Sequence, residues 1–292
     1  MKRDTRPVEN VTPPSPEDAS QVDLHLHAGQ ERDQPLDELV RWFVDNGVTT
    51  LGLLDHSELY MMGDEALRAK HGQIIYPSSP EGLGDFYDEI DRMRSKYLAE
   101  ASIYRALELP EWELLTIPGE MLVRADFLGC HMNTSCHDPS YRHYEDISCG
   151  EHLATRASQL LRVCEPNSQP AVLFHPFHRR IAELRTSIKT GELVGPEEVF
   201  TREDIDLLLD SVDTDGLFIE LNFGDIFQAA EYREISKQLG RTCRRLREGG
   251  LSFSLGSDYH RTPEEFRDPS PILSRLGIGI EDLGLVQTLS AK

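Results

Sequence analysis

The chain has 292 residues, with 30 Lys and Arg against 51 Asp and Glu, a formal charge of −21. That balance excludes a surface built to grip long nucleic acid, which needs clustered cations against phosphate. No stretch approaches the roughly 20 consecutive apolar residues of a membrane span, so a bilayer is not an expected partner either.

Residues 1–20 place Pro7, Pro13, Pro14 and Pro16 among charged and small polar side chains. Such a segment cannot bury enough apolar surface to order itself and reads as a flexible tail. Its opening, MKRDTRPVEN, lacks the apolar centre of a signal peptide. Residues 21–292 read as one domain without repeats or a low-complexity linker, a size that α/β barrels reach as single units. Short apolar runs follow at Val22–His27, Thr49–His56, Leu114–Leu122, Asp126–His131, Ala171–His175, Leu217–Asn222 and Leu251–Asp258. They are too short for globular helices and rich in Leu, Ile, Val and Phe, as buried strands are.

Between the first two runs, Leu36, Leu39, Val40, Phe43 and Val44 form a helical stripe that Gly47 ends. Residues 84–105, 151–164, 202–211 and 228–248 also read as helices, with Thr201 and Asp204 spaced as a capping box for the third. Strands separated by helices predict a parallel α/β barrel. One step breaks the alternation. Glu120 and His131 are too close for an intervening helix, so a hairpin is expected there. The cysteines (Cys130, Cys136, Cys149, Cys164, Cys243) form no CxxC pair and are odd in number. Buried thiols in a reducing cytoplasm are therefore expected.

Each run carries a metal-capable side chain at or near its end: Asp23-Leu-His25-Leu-His27, Asp55-His56, Gly119-Glu120, Cys130-His131, His175, Glu220-Leu-Asn222 and Asp258-Tyr-His260. Residues i and i+2 of a strand share a face, so the imidazoles of His25 and His27 project together. In a barrel the C-terminal strand ends share one rim, where barrel active sites form. Six of the 11 histidines, His25, His27, His56, His131, His175 and His260, converge there. One histidine after an apolar run is ordinarily a hydrogen-bonded core or loop residue; six at corresponding positions call for metal.

The set DLHLH, LLDH, TIPGE, GCHMN, LFHPF and GSDYH resembles the PHP (polymerase and histidinol phosphatase) superfamily from Gln21 to about Arg261. The HxH pair alone is shared with amidohydrolases; the DH and closing GSDxH make the resemblance specific. It implies a distorted (β/α)7, TIM-like barrel holding two to three divalent metal ions (Zn, Mn or Fe) and hydrolysing phosphoesters. By the same resemblance His25, His27, Glu120 and Asp258 hold a first metal. Glu120 bridges to a second, held with His131 and His175. His56 and His260 hold a third, completed by Asp33 or alternatively Glu31. The superfamily writes G-x-E where this chain has Gly119-Glu120. A one-residue slip turns a strand side chain to the other face, so Glu108 competes with Glu120.

Two close cations can share a hydroxide and clamp both oxygens of an in-line displacement. Asp23 and Asp55 are candidate anchors for ligand imidazoles, or equally strand-end acceptors for backbone. Arg179 and Arg180, beside His178, are the best-placed phosphate partners, with Arg124 and Arg261 further candidates. The segment 57–81, with Tyr60, Met61, Met62 and Tyr76, follows the second run on the catalytic rim. The expectation is thus a metal-dependent phosphoesterase for a small phosphorylated substrate, histidinol-phosphatase-like or nucleotide-phosphatase-like. The alternative is an amidohydrolase-like amide or lactone hydrolase. A non-catalytic metal-stabilised module ranks last.

Overall fold

The computed structural model describes residues 15–110, 117–131, 149–191, 199–260 and 264–291. Seven strands form one parallel sheet in sequence order: β1 (Val22–His27), β2 (Thr50–Leu54), β3 (Ser102–Leu109), β4 (Phe127–His131), β5 (Ala171–Phe174), β6 (Leu217–Asn222) and β7 (Ser252–Gly256). The two edges approach each other beyond β7. Asp258 N donates to His25 O at 2.8 Å and His27 N to Tyr259 O at 2.9 Å. The result is a nearly closed barrel with flanking helices, the TIM-like architecture expected.

The crossovers carry α1 (Leu36–Asp45), α2 (Asp64–His71), α3 (Pro80–Lys96), the short α4 (Gly119–Leu122), α5 (Cys149–Cys164), α6 (His178–Thr190) and α7 (Arg202–Ser211). Next come α8 (Phe223–Ala230) and α9 (Arg233–Glu248); α10 (Ser270–Leu276) and α11 (Gly284–Ser290) follow β7. Local sequence accounts for several boundaries. Ser79 caps α3, whose first residue is Pro80, a residue whose missing N–H costs nothing at that position. Thr201 and Asp204 make the expected reciprocal capping box on α7. The stripe of α1 buries Leu36, Leu39, Val40 and Phe43, and Gly47 follows it at φ 87°.

The third strand differs from the expectation. It is Ser102–Leu109, whose first half is expected to be the end of a helix; α3 stops at Lys96. The described part of the run Leu114–Leu122 is no strand but contributes α4, and residues 111–116 lie outside the described residues. The hairpin expected between Glu120 and His131 is therefore absent, and β4 pairs in parallel with β3. Nothing in the sequence punctuates the α3–β3 junction, because Tyr97–Ala101 holds neither Gly nor Pro. Arg105, paired with Asp91 and Asp126 on the outer side, also interrupts the apolar run. Residues 1–14 of the expected tail, and Cys136 and Arg261, lie outside the described residues; of the rest of that segment, Ala19–Gln21 forms a 3-10 turn with Ala19 buried. Cys130, Cys164 and Cys243 are buried thiols.

Candidate metal centre

The C-terminal ends of the strands place all six expected histidines in one cluster, with Glu108 at its middle. On the Oε2 side of Glu108 lie His27 Nε2 at 3.2 Å, His56 Nδ1 at 3.4 Å and His25 Nε2 at 3.5 Å. On the Oε1 side lie His131 Nδ1 at 3.2 Å and His175 Nε2 at 3.8 Å. Asp258 closes the first group, its Oδ1 3.4 Å from His25 Nε2 and 3.2 Å from His27 Nε2. Its Oδ2 lies 3.5 Å from His175 Nδ1. Glu31 organises the remainder. Its Oε2 is 3.2 Å from His260 Nε2, 3.5 Å from His56 Nε2 and 3.8 Å from His27 Nδ1.

The expected carboxylates are corrected in two places. Glu120 is exposed on α4 and outside the cluster, because the strand that reaches the rim there is β3 and its inward residue is Glu108. Glu108 is 1% exposed and aligns with Gly129 of β4. Asp33 is likewise exposed, whereas Glu31 occupies the position next to His56 and His260.

Scaffold residues hold this arrangement. β1 carries an irregularity against β2 between Asp23 and Leu26, where one extra residue is accommodated; such bulges commonly re-aim side chains beside active sites. His25 Nδ1 meets Glu220 Oε1 at 2.6 Å, which leaves Nε2 directed into the cluster. Glu220 Oε2 accepts from the His175 backbone N–H at 2.9 Å. His260 Nδ1 donates to the Asp258 carbonyl at 3.0 Å, freeing its Nε2 in the same manner. Gly256 is required by close approach: a Cβ there would fall 2.2 Å from His25 Cβ and 2.7 Å from Glu220 Oε1. His175 and Asp258 have φ of 52° and 59°, left-handed conformations that cost a non-glycine residue energy and gather at functional sites.

Asp23 and Asp55 anchor backbone, not imidazole. Asp23 Oδ1 accepts from the N–H groups of His25 and Ser257. Asp55 accepts from Gln30 N, His56 N and the Tyr60 hydroxyl. Both aspartates are fully buried, and burial pushes each up to about 6. Arg179 and Arg180 pair with Glu183 of their own helix at 2.8 and 3.0 Å. Arg124 pairs with Asp88 and Asp91 outside the barrel.

The electrostatics show what the cluster needs. Burial opposes the charge on His27, yet Asp258 and Glu108 outweigh it and raise that imidazole to about 9. Burial opposes charge on His25 also, and Glu220, Glu108 and Asp258 carry it well above the usual range. Burial and the neighbouring His27 and His131 hold His56 down to about 3, against the pull of Glu108 and Glu31. Glu31 falls to about 2, burial being overcome by His260, His56 and His27. Glu108 is likewise held well below the carboxylate range by His56, His131, His25 and His27 despite burial.

The donor set fits divalent cations. His27 Nδ1, Glu31 Oε2, His56 Nδ1 and Glu108 Oε2 are buried without a hydrogen-bond partner, an arrangement that leaves desolvated polar atoms uncompensated. Atoms spaced 3.2–3.5 Å apart, as around His25, His27, Glu108 and Asp258, lie about 2.0–2.1 Å from a common centre in a tetrahedral array. Those are bonding distances for first-row cations to nitrogen and oxygen. Mixed imidazole and carboxylate donors suit Zn, Mn or Fe.

Some participants escaped the sequence reading. Glu220 was noted at the end of its run without a role; its signal was that it shares a strand face with Asn222, two residues on. His71 at the end of α2 lies 3.6 Å from Glu31 Oε1, and nothing in its helical pattern announced that.

No protein-family description matches the chain, and no curated protein sequence matches it. Among solved structures, it is similar to a candidate histidinol phosphatase, HisK, of Listeria monocytogenes. The two share 13% identity at a TM-score of 0.56, covering 85% of this chain and 98% of the other. An archaeal ribonuclease P complex with mature tRNA aligns at a TM-score of 0.43 and 9% identity, over 89% of this chain and 88% of that one. The chain thus shares its fold, a nearly closed parallel α/β barrel, with the Listeria protein. Its candidate site is the carboxylate- and histidine-lined rim of that barrel.

Proposed function

We propose that the protein is a metal-dependent phosphoesterase that hydrolyses a small phosphorylated metabolite using two to three divalent cations, Zn, Mn or Fe. The observation that carries this reading is Glu108, one buried carboxylate with imidazoles gathered at both of its oxygens. A carboxylate so placed is what two neighbouring cations share. His25, His27, Glu108 and Asp258 would hold the first, Glu108, His131 and His175 the second, and Glu31, His56 and His260 the third. When bound, such cations lower the pKa of coordinated water and clamp both oxygens of an in-line displacement.

The chain's own tasks are to orient and to exclude. Glu220 fixes the His25 ring and the His175 backbone, and Asp23 ties β1 to the segment after β7. Arg179 or Arg180 would reach a phosphoryl group only by exchanging Glu183 for it. The fold similarity to a candidate histidinol phosphatase makes histidinol phosphate one substrate to test. For the amidohydrolase reading, a bridging lysine is wanting among the described residues: Lys70, Lys96, Lys189 and Lys237 all lie on helices.

Elemental analysis of purified protein together with a panel of phosphomonoesters and diesters tests the proposal. Two or three equivalents of divalent metal and metal-dependent release of phosphate or alcohol are expected. A metal-replete sample inactive on the whole panel would overturn it.

A further inference from the structure

Beside the cluster stands a histidine–carboxylate pair that takes no part in it. His178 opens α6, three residues beyond His175, and its N–H donates to the His175 carbonyl at 3.1 Å. Asp225 sits in the first turn of α8, directly after β6. Because β5 and β6 are parallel neighbours, both exits open on the rim that carries the cluster. There His178 Nδ1 lies 2.8 Å from Asp225 Oδ1. Asp225 is fully buried, while the His178 side chain is 44% exposed.

This is an asymmetric pair. The second oxygen of Asp225 is buried without a hydrogen-bond partner, and a buried carboxylate is compensated when its one partner is charged. The 2.8 Å contact fixes the Nδ1 edge of His178 against the buried carboxylate and leaves the opposite edge of the ring towards solvent. Nδ1 is committed to Asp225, so the remaining N–H, on Nε2, is the one available to a substrate.

We propose that His178, oriented by Asp225, donates a proton to the leaving-group oxygen, and that the substrate is a phosphate ester of an aliphatic alcohol; this rests on the phosphoesterase reading above. The oxygen of the attacking water forms the new P–O bond, and that water releases one proton to solvent. As the P–O bond to the alcohol breaks, its electron pair stays on the alcohol oxygen, which takes the proton from His178 Nε2. The neutral imidazole keeps Nδ1–H towards Asp225 and regains its Nε2 proton from solvent. An aliphatic alkoxide is too basic to depart easily without that proton, whereas a nitrophenolate leaves unaided.

The test uses zinc- or manganese-loaded wild type, H178Q and D225N with glycerol 2-phosphate and p-nitrophenyl phosphate. Metal content and histidine NMR titration of the zinc form serve as readouts beside activity. H178Q should retain its metal and lose about 10²–10⁴-fold in kcat on the alkyl ester, the usual size of general acid catalysis. The loss on the aryl ester should be smaller by at least about tenfold. D225N should shift in the same direction and bring the His178 titration down towards about 6.5. An equal loss on both esters would overturn the donor role alone. Metal-replete wild type that cleaves neither ester would overturn the phosphoesterase reading and this role with it.

Discussion

Glu108→Gln is the sharpest perturbation of the centre, because it keeps the side-chain shape and removes the charge that five imidazoles face. In the metal-free protein the effect works through protonation. His27 is raised from 6.5 to about 9, a difference worth roughly 3 kcal/mol. The sign follows from the raised folded value. The stabilisation is complete below about pH 6.5, where the unfolded chain also holds the proton, and is lost as pH rises through about 9. Asp258 and Glu108 share the work of supporting the imidazolium. Removing Glu108 alone therefore costs the metal-free protein roughly 1–2 kcal/mol near neutral pH and much less above about pH 9.

The metal-loaded protein responds more strongly. Losing a partner that merely orients a ligand costs about 10–100-fold in metal affinity. Glu108 faces two groups of donors directly, so a loss of at least that factor for each cation is expected. Competition with a chelator, read by elemental analysis, measures the affinity; differential scanning calorimetry at about pH 7 and pH 9.5 measures the stability of the metal-free form. Glu120→Gln, altering an exposed residue of α4, should change neither by more than about 0.5 kcal/mol, as surface substitutions do. Metal loss in the Glu120 variant together with full retention in the Glu108 variant would refute the placement of Glu108 at the bridging position.

Three further outcomes are expected. Glu31→Gln should release one equivalent of metal with the others retained, whereas Asp33→Asn should leave stoichiometry unchanged; the two are compared by elemental analysis after dialysis. Gly256→Ala should lower metal affinity about 10–100-fold, as loss of an orienting contact does, because the added Cβ would strike His25 and the Glu220 oxygen that orients it; unchanged affinity would show that the His25–Glu220 contact is dispensable. Metal binding at pH 7 should expel protons, since His27 titrates at about 9 in the metal-free protein and a ligand imidazole must be neutral. Calorimetry in buffers of different ionisation enthalpy should detect that release and its decline above about pH 9.

Most of the barrel was legible because its strands are short, apolar and bounded. Val22–His27 and Leu217–Asn222 match their runs residue for residue, and four others differ by one or two residues at an end. The histidines were legible for a related reason: each ends or closely follows such a run, so placing the strands placed them. The carboxylates were harder. Glu108 lies on the one strand whose apolar pattern is interrupted, by an arginine whose partners Asp91 and Asp126 come from α3 and the approach to β4. Glu31 and Asp33 sit in the stretch between β1 and α1, where strand periodicity has ended and cannot decide which carboxylate turns inward. Tertiary closure decides it: Gln30 is fixed by Asp55 and by the Tyr76 carbonyl, and Glu31 follows it towards His56 and His260.

Closure also explains how so much charge stays buried. Glu108, Glu220 and Asp225 are at most 1% exposed, and isolated carboxylates at that depth would give up their charge. Each instead faces imidazole: Glu108 the whole cluster, Glu220 His25, and Asp225 His178. The partners differ in what they can exchange. The imidazoles around Glu108 can trade protons for cations, because the nitrogens of His25, His27, His56 and His175 also face Asp258 or Glu31. Asp225 has one imidazole, which has no second carboxylate within ion-pair distance among the described residues and an edge open to solvent. A histidine held by its own buried carboxylate, with the other edge open to solvent beside the proposed cation sites, is the arrangement that protonation of a departing alkoxide requires.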